Sequence, residues 1–552
     1  MKILNKSILL LLSLMLGFAS NAQLTISSGA TFFIEGGATV TVQGDVTSNA
    51  DITGTGSLLL KGSAAQNISM NGNIVPNLEM DNAANAVLTS NIKISNALLF
   101  TNGKIQLGNN TATLSQAATT LGMGANKFLE TNGTGFVRRE LNADISNAIL
   151  PVGAGADYLP IAVTNSGSTY ASASIGAQVK GIANSNKHPR TESFLLANWP
   201  INKAGITGGT TNATATYTDP SRVVNIEADL RGIFWNGSNW SITGGNQNTT
   251  NNTVSADISA NNGELYGMNK FIVLDSKVFL QGAYNNGTSL MDDRLRNSSS
   301  PGYATYTIGA VPASNVIPAS DPYRVAPYSS FFTHVNNSIT EVATATAFHD
   351  LATNSNNIVD WVFVELRNTL SPGNVRLQTR SALLQRDGDI VDIDGTSALY
   401  FKNVDAGNYA ITVRHRNHLG MSTNPNSFNQ ALGLLNNATK LNFSNTATVA
   451  NFLGTANVNF ATNGTVNMLY AGNVNMNTGL RWSAPSSDKD FLLNSILSGN
   501  AGTTFSNTYS VGDVNLNRTV RWSAPNSDKD YILSTPLGGA SGATKVQLLP
   551  TP

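Results

Sequence analysis

Between residues 24 and 130 the chain is cut into short alternating segments by glycine and asparagine, and this punctuation restricts the fold more than any other feature. In "TFFIEGGATVTVQGDVTSNADITGTGSLLLKG", Val40, Val42, Val46, Leu58 and Leu60 fall on period-two spacing, the pattern of half-buried strands. Gly-Gly and Asn-Gly pairs interrupt the pattern roughly every 8–12 residues, where turns belong. Small residues and Asn-rich turns at near-regular spacing predict a stacked β-solenoid over residues 23–130, each coil burying its apolar side against the next. A plain sandwich domain is the competing arrangement.

From residue 131 the segments lengthen and carry larger aromatics, among them Trp199, Phe234, Trp235 and Trp240, which predicts a β-sandwich over 131–276. Trp235 and Trp240 flank the loop 236–239. Such a pair is either a platform for a sugar ring or the core of a strand–turn–strand hairpin. A second sandwich is expected over 277–425, where strands alternate with the turn signals Asp387-Gly388, Asp394-Gly395 and Ala406-Gly407. Residues 426–465 read as a linker or strand-rich connector, and 466–552 as a small pair of loop–helix repeats. The fold class is mainly β.

With 552 residues the chain is long enough for several cores. Charged residues are 12% of it, against about 25% in an average soluble domain. The surface is therefore built mostly from Asn, Ser, Thr and Gly. The 33 basic and 33 acidic residues cancel, which leaves no electrostatic footprint for nucleic acid. "MKILNKSILLLLSLMLGFASNAQ" has the layout of a signal peptide: Lys2 and Lys6, an apolar run over 8–16, then the small residues Ser20 and Ala22. Cleavage is expected after Ala22. The run is well short of the about 20 residues a membrane span needs, and no other segment could span a bilayer. Cysteine is absent, so disulfides, zinc–thiolate sites and thiol nucleophiles are excluded.

"VFLQGAYNNGTSLMDDRLR", "IVDWVFVELRN", "ALLQRDGDIVDIDG" and "YAITVRHRNHLGMST", followed by a "GDVN" segment, resemble secreted, adhesin- and hemagglutinin-like surface proteins of Bacteroidetes-type bacteria. The resemblance covers about residues 278–533. It implies a Gram-negative cell surface and C-terminal repeats like divergent dockerin or EF-type calcium loops. Within it, "FKNVDAGNY" and its flanking strands are similar to transthyretin-like or carboxypeptidase-regulatory-like sandwiches.

The C-terminal stretch "GNVNMNTGLRWSAPSSDKDFLL" (472–493) returns 40 residues later as "GDVNLNRTVRWSAPNSDKDYIL" (512–533). An EF-type loop takes oxygens from positions 1, 3 and 5, a carbonyl at 7 and an acid at 12. Asp513, Asn515 and Asn517 occupy 1, 3 and 5, and Thr519 can give the carbonyl, but position 12 is Ala524. The resemblance implies that "WSAPNS" is an insertion delaying the acids to Asp528 and Asp530, which begin a short helix. The first copy offers Asn473, Asn475 and Asn477, then Asp488 and Asp490, with one fewer carboxylate. Position 6 is Thr478 or Arg518 instead of the glycine that eases the turn. Calcium is thus the expected cofactor, stronger in the second copy, and turn-capping by the Asn side chains themselves is the alternative.

Trp482 and Trp522 occupy matching places in the repeats, either as partner-docking residues or as repeat core. His415 and His418 in "RHRNHLG" could share a metal only across a turn, and a hydrogen-bonding role is the simpler expectation. Asp387, Asp389, Asp392 and Asp394 are candidate paired carboxylates or Asp-Gly turns. No nucleophile elbow, zinc helix or phosphate loop is present, so no catalytic residues are assigned. The sequence is read as an exported, non-enzymatic surface protein for adhesion or extracellular matrix contact, its partners being other surface components or glycans. A self-assembling filament or sheath subunit and a carbohydrate-binding or carbohydrate-active protein are the alternatives.

Overall fold

The computed structural model describes residues 22–187, 191–260, 262–300, 306–324, 340–368, 375–425, 430–432 and 440–549. Apart from Ala22, the expected signal peptide lies outside the described residues, as do parts of the 426–465 connector. The chain divides into two compact units, Met1–Lys270 and Phe271–Pro552. It is mainly β, and the solenoid prevails over the plain sandwich at its start.

One wall of the solenoid is a sheet in the order Leu24–Ile26, Val46–Ser48, Gln66–Ser69, Ala86–Leu88, Ile105–Gln106, Leu129–Glu130, Val152–Ala154 and Asp157–Tyr158. Leu24 pairs in parallel with Val46, Val46 with Ile68 and Ile68 with Leu88, so partners recur roughly every 20 residues. A second wall stacks Thr39–Val42, Ser57–Leu60, Ile74–Asp81 and Ile92–Asn102. Its register turns the period-two spacing into one buried ladder, Val42, Leu60, Met80 and Phe100. The turns explain the asparagines. Asn71 Nδ2 donates to Asn49 Oδ1 (2.5 Å), Asn96 Nδ2 to Asn77 Oδ1 (2.6 Å) and Asn102 Nδ2 to Asp81 Oδ1 (2.6 Å), each tying one coil to the next. Inside, Gln66 is buried because it is satisfied: it donates to the carbonyls of Val42 and Gly44 and accepts from Gly62 N and Asn82 Nδ2.

The second wall continues past residue 130. Ala112–Leu114 and Val137–Leu141 extend it in parallel. Thr169–Ala177, Phe194–Thr207, Gly263–Asn269, Leu230–Trp235 and Trp240–Ser241 then continue it antiparallel, all within one 13-stranded sheet. A five-stranded sheet packs against this antiparallel part in the order Ile145–Leu150, Ile161–Ser166, Thr210–Thr216, Thr253–Asp257 and Asn246–Asn248. The two sheets touch closely at Gly232, where a Cβ would collide with the carbonyl of Ser255. Trp199, fully buried, donates its indole N–H to Leu159 O at 2.9 Å. Solenoid and sandwich thus share a sheet, and the change of architecture is a change of strand direction after Leu141.

The second unit is organised by a sheet in the order His418–Ser422, Gly407–His415, Ile358–Arg367, Arg376–Gln385, Asp389–Val391, Ser276–Lys277 and Leu441–Asn442, with Gln430–Leu432 also on Gly407–His415. Every residue of Ile358–Arg367 is buried, charged ones included. Asp293 and Asp350 each lie 2.5 Å from Arg296, and Glu365 accepts from Arg367 Nε (2.7 Å) and Arg414 Nε (2.6 Å). The charged residues of "MDDRLR", "VDWVFVELRN" and "VRHRN" therefore neutralise one another inside the unit, as buried charge requires. Of the connector, Leu441, Phe443, Phe452 and Phe460 belong to the core.

Candidate calcium-binding repeat pair

The similarity between the C-terminal copies extends beyond the 22 residues visible as a repeat. Each copy is a loop, a strand, a turn, a helix and a second strand, all offset by the same 40 residues. The helices are α1 (Asp488–Phe491, continued by a wider turn over Leu492–Ile496) and α2 (Asp528–Ser534). Ser487 and Ser527 cap them, each hydroxyl accepting from the N–H of Asp490 or Asp530. The second strands are exchanged between copies. Thr504–Ser506, which follows α1, pairs with Thr519–Arg521 of the second copy. Thr544–Val546, which follows α2, pairs with Gly479–Arg481 of the first. Neither copy completes its own sheet.

Within the loops, Asp513 is fully buried and accepts the N–H groups of Asn517 (2.9 Å) and Arg518 (2.7 Å). Asp528 accepts those of Val514 (3.0 Å) and Arg521 (2.9 Å). In the first copy, Asp488 Oδ2 takes Arg481 N at 2.8 Å. Asn517 Oδ1 accepts from Thr519 N, and Asn477 Oδ1 from Gly479 N. Asn475 Oδ1 accepts from Asn477 N. Two buried amide oxygens have no hydrogen-bond partner among the described residues, Asn473 Oδ1 and Asn515 Oδ1, while the main-chain N–H groups of Val474, Asn475 and Arg481 face the Asp488 carboxyl. The turn expected of glycine is made without it. Met476 and Leu516 take φ of 54° and 52°, and Arg518 at position 6 takes 74°.

Burial pushes the carboxyls of Asp488 and Asp513 up to about 7, with Arg416 opposing the shift at Asp513. Asp528 is raised well above the usual carboxylate range by burial, and the neighbouring Asp513 charge adds to it. These groups fit a cation: their ionised forms are disfavoured by desolvation and mutual repulsion, which a bound positive charge relieves. Asp490 and Asp530 are placed differently. Both lie on the helix surface with oxygens near Lys489 Nζ (2.8 Å) and Lys529 Nζ (3.1 Å) and outside the loops' hydrogen-bond set. Thr519 opens the strand Thr519–Arg521. Among the described residues no group of three or more His, Cys, Asp or Glu side chains is placed to hold a metal. A cation here would rest on two carboxylates, Asp513 and Asp528, or on Asp488 alone, completed by amide and main-chain oxygens.

What holds the pair in place is a residue that sequence reasoning passed over. The hairpin between Gly407–His415 and His418–Ser422 puts Asn417 at its tip, and the tip reaches both loops. Asn417 O accepts from the N–H of Gly472 and Asn473 (both 3.0 Å), while its Nδ2 donates to Val511 O (3.0 Å) and Asp513 O (2.7 Å). Beside it Arg416 reaches the carbonyl of Ser510 and stacks 4.2 Å from the Tyr509 ring. Asp360 accepts from Tyr509 (2.6 Å), Arg416 (3.0 Å) and His415 (3.0 Å). Burial raises the Asp360 carboxyl, but Arg416, His415 and Tyr509 outweigh it and hold it at about 2. The two-residue turn brings His415 and His418 together with Nδ1 atoms 3.0 Å apart. Because Gly282 N–H donates to His418 Nε2 (3.1 Å), His418 carries its proton on Nδ1 and His415 carries its own toward Asp360. The signal was in the sequence as "RHRN", four polar residues at a strand end.

The remaining candidates are engaged structurally. Trp235 and Trp240 are cross-strand partners with ring centroids 5.1 Å apart; Trp240 is 8% exposed and donates to Asn186 O. Trp482 and Trp522 pack half-buried against the core, and Lys489 Nζ sits 5.8 Å from each ring. Asp389 pairs with Lys440 (2.5 Å), Asp392 with Arg380 (2.7 Å), and Asp394 accepts from Thr396 and Ser397. Asp387 accepts from Asp389 N, and burial raises its carboxyl. No helix among the described residues is long and apolar enough to cross a membrane. No family model matches the chain, and neither a curated protein nor a solved structure does.

Proposed function

We propose that the chain is an exported, non-enzymatic surface protein for adhesion or matrix contact, with a C-terminal repeat pair that calcium stabilises. The observation that carries the calcium part is the pair of buried amide oxygens without partners among the described residues, Asn473 Oδ1 and Asn515 Oδ1, in loops whose acids are already desolvated. The resemblance to Bacteroidetes-type surface proteins supports the same reading, and the leader-like N-terminus supports export. The non-enzymatic reading is supported by the candidate acids and histidines, which are committed to turns, ion pairs and buried hydrogen bonds. Broad polar sheets suit many weak contacts. A biosensor coated with residues 23–552, over which extracellular matrix of the producing bacterium is passed, tests this. Mass retained in calcium and reduced in chelator is expected; no retention in either would reject it.

A specific observation favours the filament alternative as a second reading. Among the described residues Leu24–Ile26, Phe32–Ile34 and Thr39–Val42 each pair on one side only. Together they hold no charged residue and no proline, the devices that keep edges from pairing. Phe33 is 61% exposed among them. Fibres of purified protein that disappear on Phe33→Lys would establish this reading, and a strictly monomeric solution would remove it.

A further inference from the structure

A concavity of the first unit lies where the sheet changes from parallel to antiparallel pairing. Val137–Leu141 pairs in parallel with Ala112–Leu114 on one side and antiparallel with Thr169–Ala177 on the other. Thr169–Ala177 bends away, its register with Phe194–Thr207 slipping between Tyr170 and Ser174, and Ser172 takes φ 48°. The bend opens a groove of about 900 Å³ lined by Thr113, Gln116, Arg138, Glu140, Tyr170 and Ser174, among others.

Alternation sorts the charges of "VRREL". Arg139 points inward and donates to the carbonyls of Ser115, Gln116, Ala118 and Ile149, which fixes the groove's rim. Arg138 and Glu140 point outward into the groove. Glu140 is matched by Lys93, whose Nζ lies 2.8 Å from Oε1. Among the described residues Arg138 has no such match: its guanidinium donates to Ser174 Oγ (3.3 Å) and Asn202 Oδ1 (2.8 Å), both neutral, and lies 5.5 Å from the centroid of the Phe136 ring. Burial lowers its pKa. Its position is built in, because a Cβ on Gly176 would lie 2.9 Å from Arg138 Cγ. The Tyr170 hydroxyl is committed to Asp144 and Asn165, each at 2.5 Å, leaving only its ring to face a ligand.

We infer that this groove binds an acidic oligosaccharide, with a sugar carboxylate on the Arg138 guanidinium. A planar fork with a half-desolvated charge matches a carboxylate. The hydroxyls and amides of the lining match sugar hydroxyls, and the Tyr170 ring can cover a C–H face. The inference rests on the adhesion reading, to which it assigns a ligand class.

The test is calorimetric titration of residues 23–552 with hexagalacturonate and with its methyl-esterified, uncharged counterpart. The acid should bind, the ester at least about tenfold more weakly, and Arg138→Gln should lose about tenfold in affinity, as one charge-assisted hydrogen bond of ~1.4 kcal/mol predicts. Glu140→Gln, which frees Lys93, should bind the acid more tightly, so the result does not depend on a loss alone. Equal binding of acid and ester, an Arg138→Gln variant that binds like the parent, or no binding of the acid would each overturn the inference. The matrix-retention assay on the same variants separates the two ideas. Retention without uronate binding sinks the groove and spares adhesion, and uronate binding without retention does the reverse.

Discussion

At the scale of single residues, the second unit is held by polar groups placed where apolar ones would ordinarily be. Asn417 satisfies its side-chain amide between the second loop and His418, its Oδ1 accepting from His418 at 2.8 Å, while its main-chain carbonyl holds the first loop. Asn417→Ala would leave buried carbonyls of Val511 and Asp513 without donors, and we expect a loss of about 2–4 kcal/mol in chemical denaturation. Asp360→Asn should cost more, about 3–5 kcal/mol, since it strands the Arg416 charge in the interior. The titrating groups pull in opposite directions. Asp488 and Asp513 keep their protons up to about 7 in the fold but only to about 3.8 unfolded. Their contribution is therefore present in acid and is lost as pH rises through about 7. His415 and His418 are lowered by burial from 6.5, so their contribution is present above that value and is lost as pH falls below it. Between about 3.8 and 6.5 the loss from the carboxyls and the gain from the histidines therefore oppose each other, and from 6.5 to about 7 only the loss remains, so calorimetric melting in chelator should fall across that upper window. Calcium binds the ionised carboxyls, so the rise in melting temperature it gives should be larger above about pH 7 than at about pH 5.

At the scale of elements, strand spacing was legible because it is local: the inward ladder Val42, Leu60, Met80 and Phe100 follows from alternation plus turn residues. The loop–helix repeats were legible because "RWSAP" and "SDKD" are identical in both copies. Their second strands were not, since "TFS" and "TKV" share little, and only pairing across the copies identifies them. The same limit hid the role of Asn417, whose partners are 94 and 96 residues away. Asp490 and Asp530 entered the expected ligand set through the insertion that the resemblance implies, and in the fold their carboxyls lie against Lys489 and Lys529. Strand exchange has a consequence that can be measured. Lys545→Pro should lower amide protection at Leu480 of the first copy more than at Val520 of the second, because Lys545 faces Leu480 and Thr519–Arg521 pairs instead with Thr504–Ser506. Equal losses in both copies would contradict the exchange.

At the scale of the whole molecule, two compact units use different means of stability in a chain without disulfides. The first repeats a sheet ladder and closes its corners with asparagine. The second buries ion pairs and ends in a repeat pair whose carboxylates are desolvated. With two carboxylates in the stronger loop, affinity for calcium should be weak, with Kd of about 10⁻⁴–10⁻³ M as in extracellular modules. The most direct measurement is calorimetric titration of calcium into chelator-treated residues 23–552, beside the Asp513→Asn, Asp528→Asn double variant. We predict binding heat and a raised melting temperature in the parent, both strongly reduced in the variant. No heat and no melting shift in the parent up to about 10 mM, an order of magnitude above that range, would contradict the account.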